Sequence, residues 1–133
     1  MKRRGDLVIG WVRKAESDLA ALELALNAET ALDTACFHAQ QAAEKFLKAY
    51  LVSKGVDFPF THNLARLLDL CEPLDPAFAQ LRPIVEPLTP FAVELRYDDE
   101  FWPSKEIVTE AQSATLKLRD AVLSRLPAVD QGD

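Results

Sequence analysis

The chain carries polar residues whose spacing could gather them around a negatively charged ligand. Four of them recur at i, i+3, i+7 and i+10 in one stretch without Gly or Pro, so on an α-helix they fall within an arc of roughly 80°: His38, Gln41, Lys45 and Lys48. Arg96 and Tyr97 follow later, where a guanidinium beside a phenol ring could hold a phosphate by charge and a base by stacking. The predicted ligand-binding residues are Asp18, His38, Gln41, Lys45, Lys48, Arg96 and Tyr97.

Asp18 and Arg96 also have simpler interpretations. Asp18 falls within the apolar stripe of the first predicted helix, where an unpaired carboxylate would be costly. It therefore needs a cation, either Lys14 at i−4 or a cation from another helix. Arg96 could pair with Asp18 or with the aspartates 98–99 and do no more than fix a loop. At the level of the sequence, both questions stay open.

The residue types that usually bind metals or activate nucleophiles are scarce. The chain has two histidines and two cysteines, and it lacks a Gly-rich phosphate loop, a GxSxG elbow, an HExxH pair and a CxxC pair. No Glu is followed three residues later by His, as helical di-iron sites require. We therefore expect no metal site and no cofactor. His62, at the start of a predicted helix, is either a capping or loop contact or part of an anion site.

Two long helices should position most of these residues. The first runs from Asp6 to about Asn27, with an apolar stripe that begins at Leu7. The second occupies Ala31–Lys54, which is rich in strong helix formers, and Gly55 is its expected C-terminal cap. Because the turn between them is short, the two helices should pack as an antiparallel hairpin.

The rest of the chain predicts shorter helices. A third helix should begin near Leu64, and a last one should run from the N-cap candidate Ser104 to about Leu126 with Ile107 facing the core. Between them, prolines remove backbone donors and clash with the preceding turn, so one long helix cannot form. These prolines are Pro73, Pro76, Pro83, Pro87 and Pro90. The predicted fold class is all-α, an up-and-down helical bundle of about five helices with a proline-kinked fourth segment.

Length and composition bound the class of protein. A chain of 133 residues is long enough for a single domain with a real core, which we expect at about residues 7–126 with flexible termini. The net charge of −6 argues against broad, non-specific binding to nucleic acid but not against a local basic site. The apolar run LVIGWV after MKRR is too short for a secretory signal or a membrane span, so we expect a cytoplasmic protein without membrane contact. Cys36 and Cys71 are expected as reduced core thiols.

Four segments together resemble the HEPN domain family of prokaryotes: WVRKAESDLAALELAL, CFHAQQAAEKFLKAYL, THNLARLLDLC and LRYDDEFWPS. The resemblance covers roughly residues 7–126. It implies a compact helical bundle, usually an antiparallel homodimer with a cleft between the protomers. It also implies that the chain is similar to proteins encoded beside a minimal nucleotidyltransferase, many of which form toxin–antitoxin pairs. Other members of the family are metal-independent ribonucleases.

The family's ribonucleases act through an arginine and a histidine separated by four to six residues. The arginine of that pattern matches Arg96, but positions 101–103 hold Phe, Trp and Pro. The catalytic histidine would therefore have to be His38 or His62, coming from another helix or from the partner protomer. The resemblance implies the fold, the dimer and a polar cleft near Arg96, without the complete motif.

The first expectation for function is a binding module. It would be a dimer that associates with a nucleotide or RNA and with a minimal nucleotidyltransferase in a toxin–antitoxin-like system. Tyr97 lies beside two aspartates and is the candidate for modification by transfer of a nucleotide to its hydroxyl. The alternative is a metal-independent ribonuclease that uses Arg96 with His38 or His62. A structural dimer without a ligand is the third class.

Overall fold

The first two helices form a long antiparallel hairpin, and shorter helices pack against it in the computed structural model, which describes residues 2–127. The elements in this range are α1 (Arg4–Ala28), α2 (Leu32–Ser53), α3 (Leu64–Cys71), α4 (Ala77–Val85), a 3-10 helix η1 (Glu86–Phe91) and α5 (Lys105–Leu123). No strand occurs in the described part of the chain. The predicted all-α fold of about five helices is confirmed.

The turn between α1 and α2 is tight because two of its residues adopt left-handed backbone angles. Glu29 has φ 56° and Ala31 has φ 51°, a region that side chains with a Cβ rarely occupy. The N–H of Thr30 donates to the carbonyl of Ala25 (3.2 Å), and the N–H of Glu29 donates to that of Leu26 (3.1 Å). These two bonds close the last turn of α1 and turn the chain back alongside it.

Gly55 ends α2 as predicted. Its φ of 68° is a left-handed angle that glycine adopts without strain. The N–H of Gly55 donates to the carbonyl of Val52 (3.0 Å), and the N–H of Val56 donates to that of Leu51 (3.0 Å), which is the Schellman pattern. A Cβ at this position would lie 3.0 Å from Nη2 of Arg4, so the arginine side chain would have to shift slightly, and the left-handed φ is the main reason for glycine here.

Helix α2 lies at the centre of the bundle, in contact with α1, α3, η1 and α5. Its alanines let neighbouring helices approach closely, because five of them have no exposed surface: Ala35, Ala39, Ala42, Ala43 and Ala49. Larger side chains of the same helix fill the space on either side, among them the fully buried Phe46 and Tyr50. Burial on several faces explains why polar residues of α2 are also drawn inside.

The proline-rich segment is kinked, as predicted. Pro83 lies inside α4, and Pro87 and Pro90 lie in η1, where the chain tightens from α-helix to 3-10 helix. Thr89 of η1 accepts a hydrogen bond from the N–H of Leu64 at 3.1 Å, which ties this segment to the start of α3. A series of turns over residues 92–100 then leads towards α5.

The structure corrects some details of the sequence prediction. Leu7 and Ile107 were expected to face the core, but they are 43% and 41% exposed. Helix α5 ends at Leu123 rather than near Leu126, although Leu126 itself packs in the core. The flexibility predicted for the termini outside about residues 7–126 stays a prediction; of these termini, residue 1 and residues 128–133 lie outside the described residues. Within the described range, no helix is both long and apolar enough to cross a membrane.

Candidate functional site

Asp18 joins α1 to the polar side of α2. Its Oδ2 accepts a hydrogen bond from Nζ of Lys45 at 2.6 Å, and its Oδ1 lies 2.8 Å from Nδ1 of His38. Asp18 is buried, at 7% exposure, so these contacts supply the partners that its carboxylate needs. The open question about Asp18 is answered by a cation from another helix, Lys45, rather than by Lys14. The structure thus brings three of the predicted site residues into direct contact.

A second buried carboxylate, that of Glu44, repeats the same arrangement. It accepts hydrogen bonds from Nζ of Lys48 at 2.9 Å and from Nε2 of Gln40 at 3.2 Å, and it lies 2.8 Å from Nδ1 of His62. Gln40 also donates to the backbone carbonyl of His62 at 2.8 Å, which fastens the loop before α3 to α2. Burial alone would raise the pKa of Glu44, but the hydrogen bonds from Lys48 and His62 hold it below its ordinary value.

The sequence prediction missed Gln40 and Glu44. Both are buried, although they belong neither to the apolar stripe of α2 nor to the polar arc predicted from its helical spacing. One signal was available: Glu44 precedes Lys48 by four residues, which is the favourable order for an ion pair on a helix. Their burial depends on the loop that carries His62, and local spacing does not contain that information.

The remaining predicted residues of α2 belong to the second cluster rather than to an open binding surface. Gln41 donates from Nε2 to Oε1 of Gln40 at 2.8 Å. The Lys48 ammonium lies 5.3 Å from the ring centroid of Trp11 and 5.5 Å from that of Phe58, and its side chain is only 8% exposed. Lys48 is therefore enclosed by aromatic rings and by Glu44. Lys45, at 21% side-chain exposure, is the more accessible lysine.

Arg96 lies on the ring of Phe37, next to His38. Its guanidinium carbon is 4.1 Å from the ring centroid of Phe37, whose ring centroid is 5.4 Å from that of His38. The guanidinium of Arg96 and the imidazole of His38 thus both contact the ring of Phe37. Within residues 2–127 Arg96 forms no ion pair, so the alternative in which it pairs with Asp18 or the aspartates 98–99 is wrong. Tyr97 is 76% exposed, and its ring centroid lies 5.6 Å from the same guanidinium carbon.

The hydrogen bonds of the two imidazoles determine which ring nitrogen of each carries a proton. A carboxylate paired with a lysine can only accept, so Nδ1 of His38 and Nδ1 of His62 are the donors to Asp18 and Glu44. Neither Nε2 has a partner in the described part of the chain, where every buried polar side-chain atom is paired. The unpaired Nε2 of His38 is therefore not buried, and His62 is an exposed residue, so both nitrogens can exchange a hydrogen bond with a ligand.

The cluster around Asp18 lies outside two hollows of the described surface. One is an apolar groove of about 420 Å³ between the proline segment and α5, and the other, of about 500 Å³, lies near Arg4 and Gly55. Neither hollow is lined by a predicted site residue. Among residues 2–127 there is also no group of three or more His, Cys, Asp and Glu side chains arranged to hold a metal ion. The chemistry available here is anion binding at Arg96 and proton or hydrogen-bond exchange at the two imidazoles.

Comparison with known proteins gives a consistent result. The family model of the HEPN domain matches residues 9–125 of the chain. The crystal structure of an archaeal HEPN homologue superimposes with a TM-score of 0.72 at 24% identity, covering 96% of this chain and 100% of that one. No curated protein sequence matches. At this level of identity the structural likeness supports the fold, and the family match extends over all five α-helices.

Proposed function

The chain belongs to the HEPN domain family, and from this premise we propose that it is a dimeric module that binds a nucleotide or RNA. Its partner in this proposal is a minimal nucleotidyltransferase, with which it forms a toxin–antitoxin-like system. The observation that carries the proposal is the guanidinium of Arg96, which lies on Phe37 beside His38 without a carboxylate partner in the described residues. A guanidinium that is exposed and not neutralised nearby is suited to bind a phosphate group.

The proposed ligand site comprises Asp18, His38, Gln41, Lys45, Lys48, Arg96 and Tyr97. Its members differ in what they contribute. Arg96 would contact the phosphate, His38 would form a hydrogen bond through Nε2, and Tyr97 would offer a ring for stacking. Lys48 and Gln41 would not contact the ligand directly, because Nζ of Lys48 is hydrogen-bonded to Glu44 and Nε2 of Gln41 to Gln40. Their role in this proposal is to hold the ligand-contacting residues in place.

The dimer is supported by the distribution of exposed aromatic side chains. Phe60 is 96% exposed, Trp102 is 73% exposed and Tyr97 is 76% exposed. Aromatic residues are enriched at protein interfaces, and large exposed ones are otherwise uncommon in a small bundle. Sedimentation equilibrium tests this part of the proposal: we expect twice the protomer mass of 14.8 kDa. A monomer at micromolar concentration would contradict it.

Ligand binding is tested by thermal denaturation of the wild type with AMP, ATP and a short RNA. A ligand at about 100 times its Kd should add about 2.7 kcal/mol to the free energy of unfolding. Arg96→Ala should abolish the shift, whereas Arg13→Ala, at an exposed arginine of α1 outside both clusters, should leave it intact. An unmoved melting temperature with all three probes would instead favour a structural dimer without a ligand.

The partner and the modification can be tested together. When the chain is co-expressed with a minimal nucleotidyltransferase, the partner proposed here, we expect the two proteins to copurify and the Tyr97 peptide to gain the mass of a nucleotide. The chain supplies its own control, because its second tyrosine, Tyr50, is 1% exposed and should stay unmodified. Tyr97→Phe should remove the mass increment. An unmodified Tyr97 peptide would reject the modification.

A second candidate function is a metal-independent ribonuclease that uses Arg96 with His38. The favouring observation is the hydrogen bond from Nδ1 of His38 to Asp18, which leaves Nε2 free to act as a base, while Arg96 lies on the neighbouring ring of Phe37. Cleavage of RNA in the presence of EDTA that is lost in both Arg96→Ala and His38→Ala would support this function. The same assay with His62→Ala decides between the two histidines. Intact RNA from about pH 5 to 9, the range in which imidazole changes charge, would discard it.

We also propose that the chain works as one domain in the cytoplasm. A single cluster of buried apolar side chains extends from Val8 to Leu126, which supports one domain. Both cysteines are free and buried, as suits a reducing compartment. Limited proteolysis checks the domain assignment: one resistant fragment that spans both ends of this cluster is expected, and two separable fragments would contradict it.

A further inference from the structure

The two oxygens of the Asp18 carboxylate are used by two different partners. Oδ2 binds the ammonium of Lys45 at 2.6 Å, and Oδ1 binds Nδ1 of His38 at 2.8 Å. Lys45 already neutralises the charge of Asp18, so the imidazole does not have to be a cation for the pair to be stable. A neutral imidazole whose Nδ1 carries the proton has a lone pair on Nε2. The hydrogen bond to Asp18 therefore determines whether Nε2 of His38 presents a lone pair or a proton to a ligand.

We propose that Asp18 is a positioning residue that holds His38 in the Nδ1–H tautomer, so that Nε2 accepts a hydrogen bond from a hydroxyl group of the ligand. Because Arg96 lies on the neighbouring ring of Phe37, the hydroxyl and a phosphate of one ligand can be held together. The ligand class is then a ribonucleotide in preference to its 2′-deoxy analogue. The proposal rests on the function proposed above and adds the specificity of that site.

His38 is better placed than His62 for this task. The ring of His38 is in contact with Phe37, on which Arg96 lies, whereas His62 belongs to the loop before α3 and has Phe60 as its ring neighbour. The backbone of His62 is also fixed to α2 by Gln40. His62 and Glu44 thus form a matched pair with the same hydrogen-bond chemistry, which serves as an internal control for His38 and Asp18.

A purely structural role for Asp18 makes a different prediction. The ion pair with Lys45 alone would join α1 to α2, and that role is indifferent to which nitrogen of His38 carries the proton. The two interpretations can therefore be separated by measuring the tautomer of His38 and the discrimination between ribose and deoxyribose, neither of which a simple loss of stability would change selectively.

The first test is nitrogen NMR of protein labelled at histidine, with the wild-type chain near pH 8. The chain has two histidines, so a His62→Gln variant assigns both sets of signals. We expect the Nδ1–H tautomer for His38 in the wild type and a mixture of tautomers in Asp18→Asn. Glu44→Gln should affect only His62. A dominant Nε2–H tautomer of His38 in the wild type would overturn the proposal, even if Asp18→Asn fails to fold.

The second test is calorimetric binding of adenosine 3′-monophosphate and its 2′-deoxy analogue. One hydrogen bond to the hydroxyl should favour the ribonucleotide roughly fivefold in the wild type. In Asp18→Asn and His38→Phe the ratio should approach one, while both variants still bind through Arg96. Equal wild-type affinities would overturn this inference and leave the proposed binding function standing. If neither nucleotide binds, the specificity proposed here fails, and the denaturation series with AMP, ATP and RNA decides whether the proposed function stands.

Discussion

At the scale of single residues, the free-energy cost of burying two carboxylates is offset by the hydrogen-bond donors around each of them. Asp18 and Glu44 are both nearly buried, and each is hydrogen-bonded to one lysine and one histidine. A buried carboxylate without such partners would be strongly destabilising. The same carboxylates accept from and orient both imidazoles, so residues that stabilise the helix pair also orient side chains of the candidate site.

Removal of the Glu44 carboxylate should be far more damaging than removal of an exposed one. Glu44→Ala leaves the ammonium of Lys48, whose side chain is 8% exposed, without a partner, and we expect a loss of about 3 kcal/mol in the free energy of unfolding. Glu29→Ala is the control, because it breaks only an exposed pair with Lys105 and should not move the urea midpoint measurably. Equal midpoints for the two variants would contradict this account.

Glu44 should also make stability depend on acid. Its pKa in the folded protein lies below the ordinary value of 4.5, so its contribution is complete above that pH and is lost as the pH falls through the folded pKa. The melting temperature of the wild type should therefore fall more steeply below this pH than that of Glu44→Gln. Parallel curves for the two proteins would show that Glu44 contributes nothing to the dependence.

The two cysteines should be unreactive in the folded protein. Burial, with a smaller effect from Asp33, raises the pKa of Cys36 to about 12, and burial with the charge of Glu72 raises that of Cys71 to about 12. Both thiols therefore stay protonated near pH 8, where a thiolate is needed for reaction with Ellman's reagent. We expect slow labelling of the native protein and rapid labelling of both thiols in urea. Rapid labelling without urea would mean that one thiol is accessible.

Part of the site could be predicted from the sequence, and the limit has a physical reason. Asp18 stood out because a carboxylate within an apolar stripe needs a cation, and His38 and Lys45 stood out because helical spacing aligns them. Gln40 and Glu44 did not, since they are buried by a loop from a different part of the chain. The position of Arg96 on Phe37 depends on long-range packing in the same way.

At the scale of elements, helix limits follow from local sequence more closely than loop conformations do. The ends of α1 and α2 lie within two residues of the predicted ones, because both segments lack proline and Gly55 ends the second. The proline segment was predicted to be kinked for the same local reason. The sequence did not indicate the left-handed angles of Glu29 and Ala31, since neither is a residue that favours them.

A substitution in the turn between α1 and α2 should therefore increase the free energy of unfolding. Ala31 has φ 51° and an exposed side chain, so Ala31→Gly relieves backbone strain without the loss of a contact. We expect a gain of about 1 kcal/mol in the free energy of unfolding. Ala20→Gly, at an exposed position within α1, is the matched control and should lose about 1 kcal/mol. If both variants lose stability equally in urea, strain at residue 31 is not the reason.

At the scale of the whole molecule, α2 is the helix around which the other elements pack. It contacts α1, α3, η1 and α5, and its fully buried alanines set how closely they can approach. Because the same helix carries His38 and Lys45 on its partly exposed side, the packing of the core and the geometry of the site are coupled through one element. A change in the spacing of α2 from its neighbours should affect both.

Enlarging a buried alanine of α2 tests this coupling. Ala43 has no exposed surface, and Ala43→Leu should destabilise the protein by about 2 kcal/mol because the added methyl groups force the helices apart. Ala20→Leu, at an exposed position of α1, should be nearly neutral. Thermal denaturation measures both. A neutral Ala43→Leu would mean that the interior can absorb extra volume.

The connectivity of the polar cluster has a consequence for biosynthesis. Asp18, His38 and Lys45 all belong to the α1–α2 hairpin, whereas Arg96 comes from a segment translated much later. Since local contacts form early and amino-terminal parts leave the ribosome first, we expect a nascent chain to form the carboxylate–imidazole pair before Arg96 can pack on Phe37. The proposed anion site would therefore be completed only after the segment that carries Arg96 has been translated.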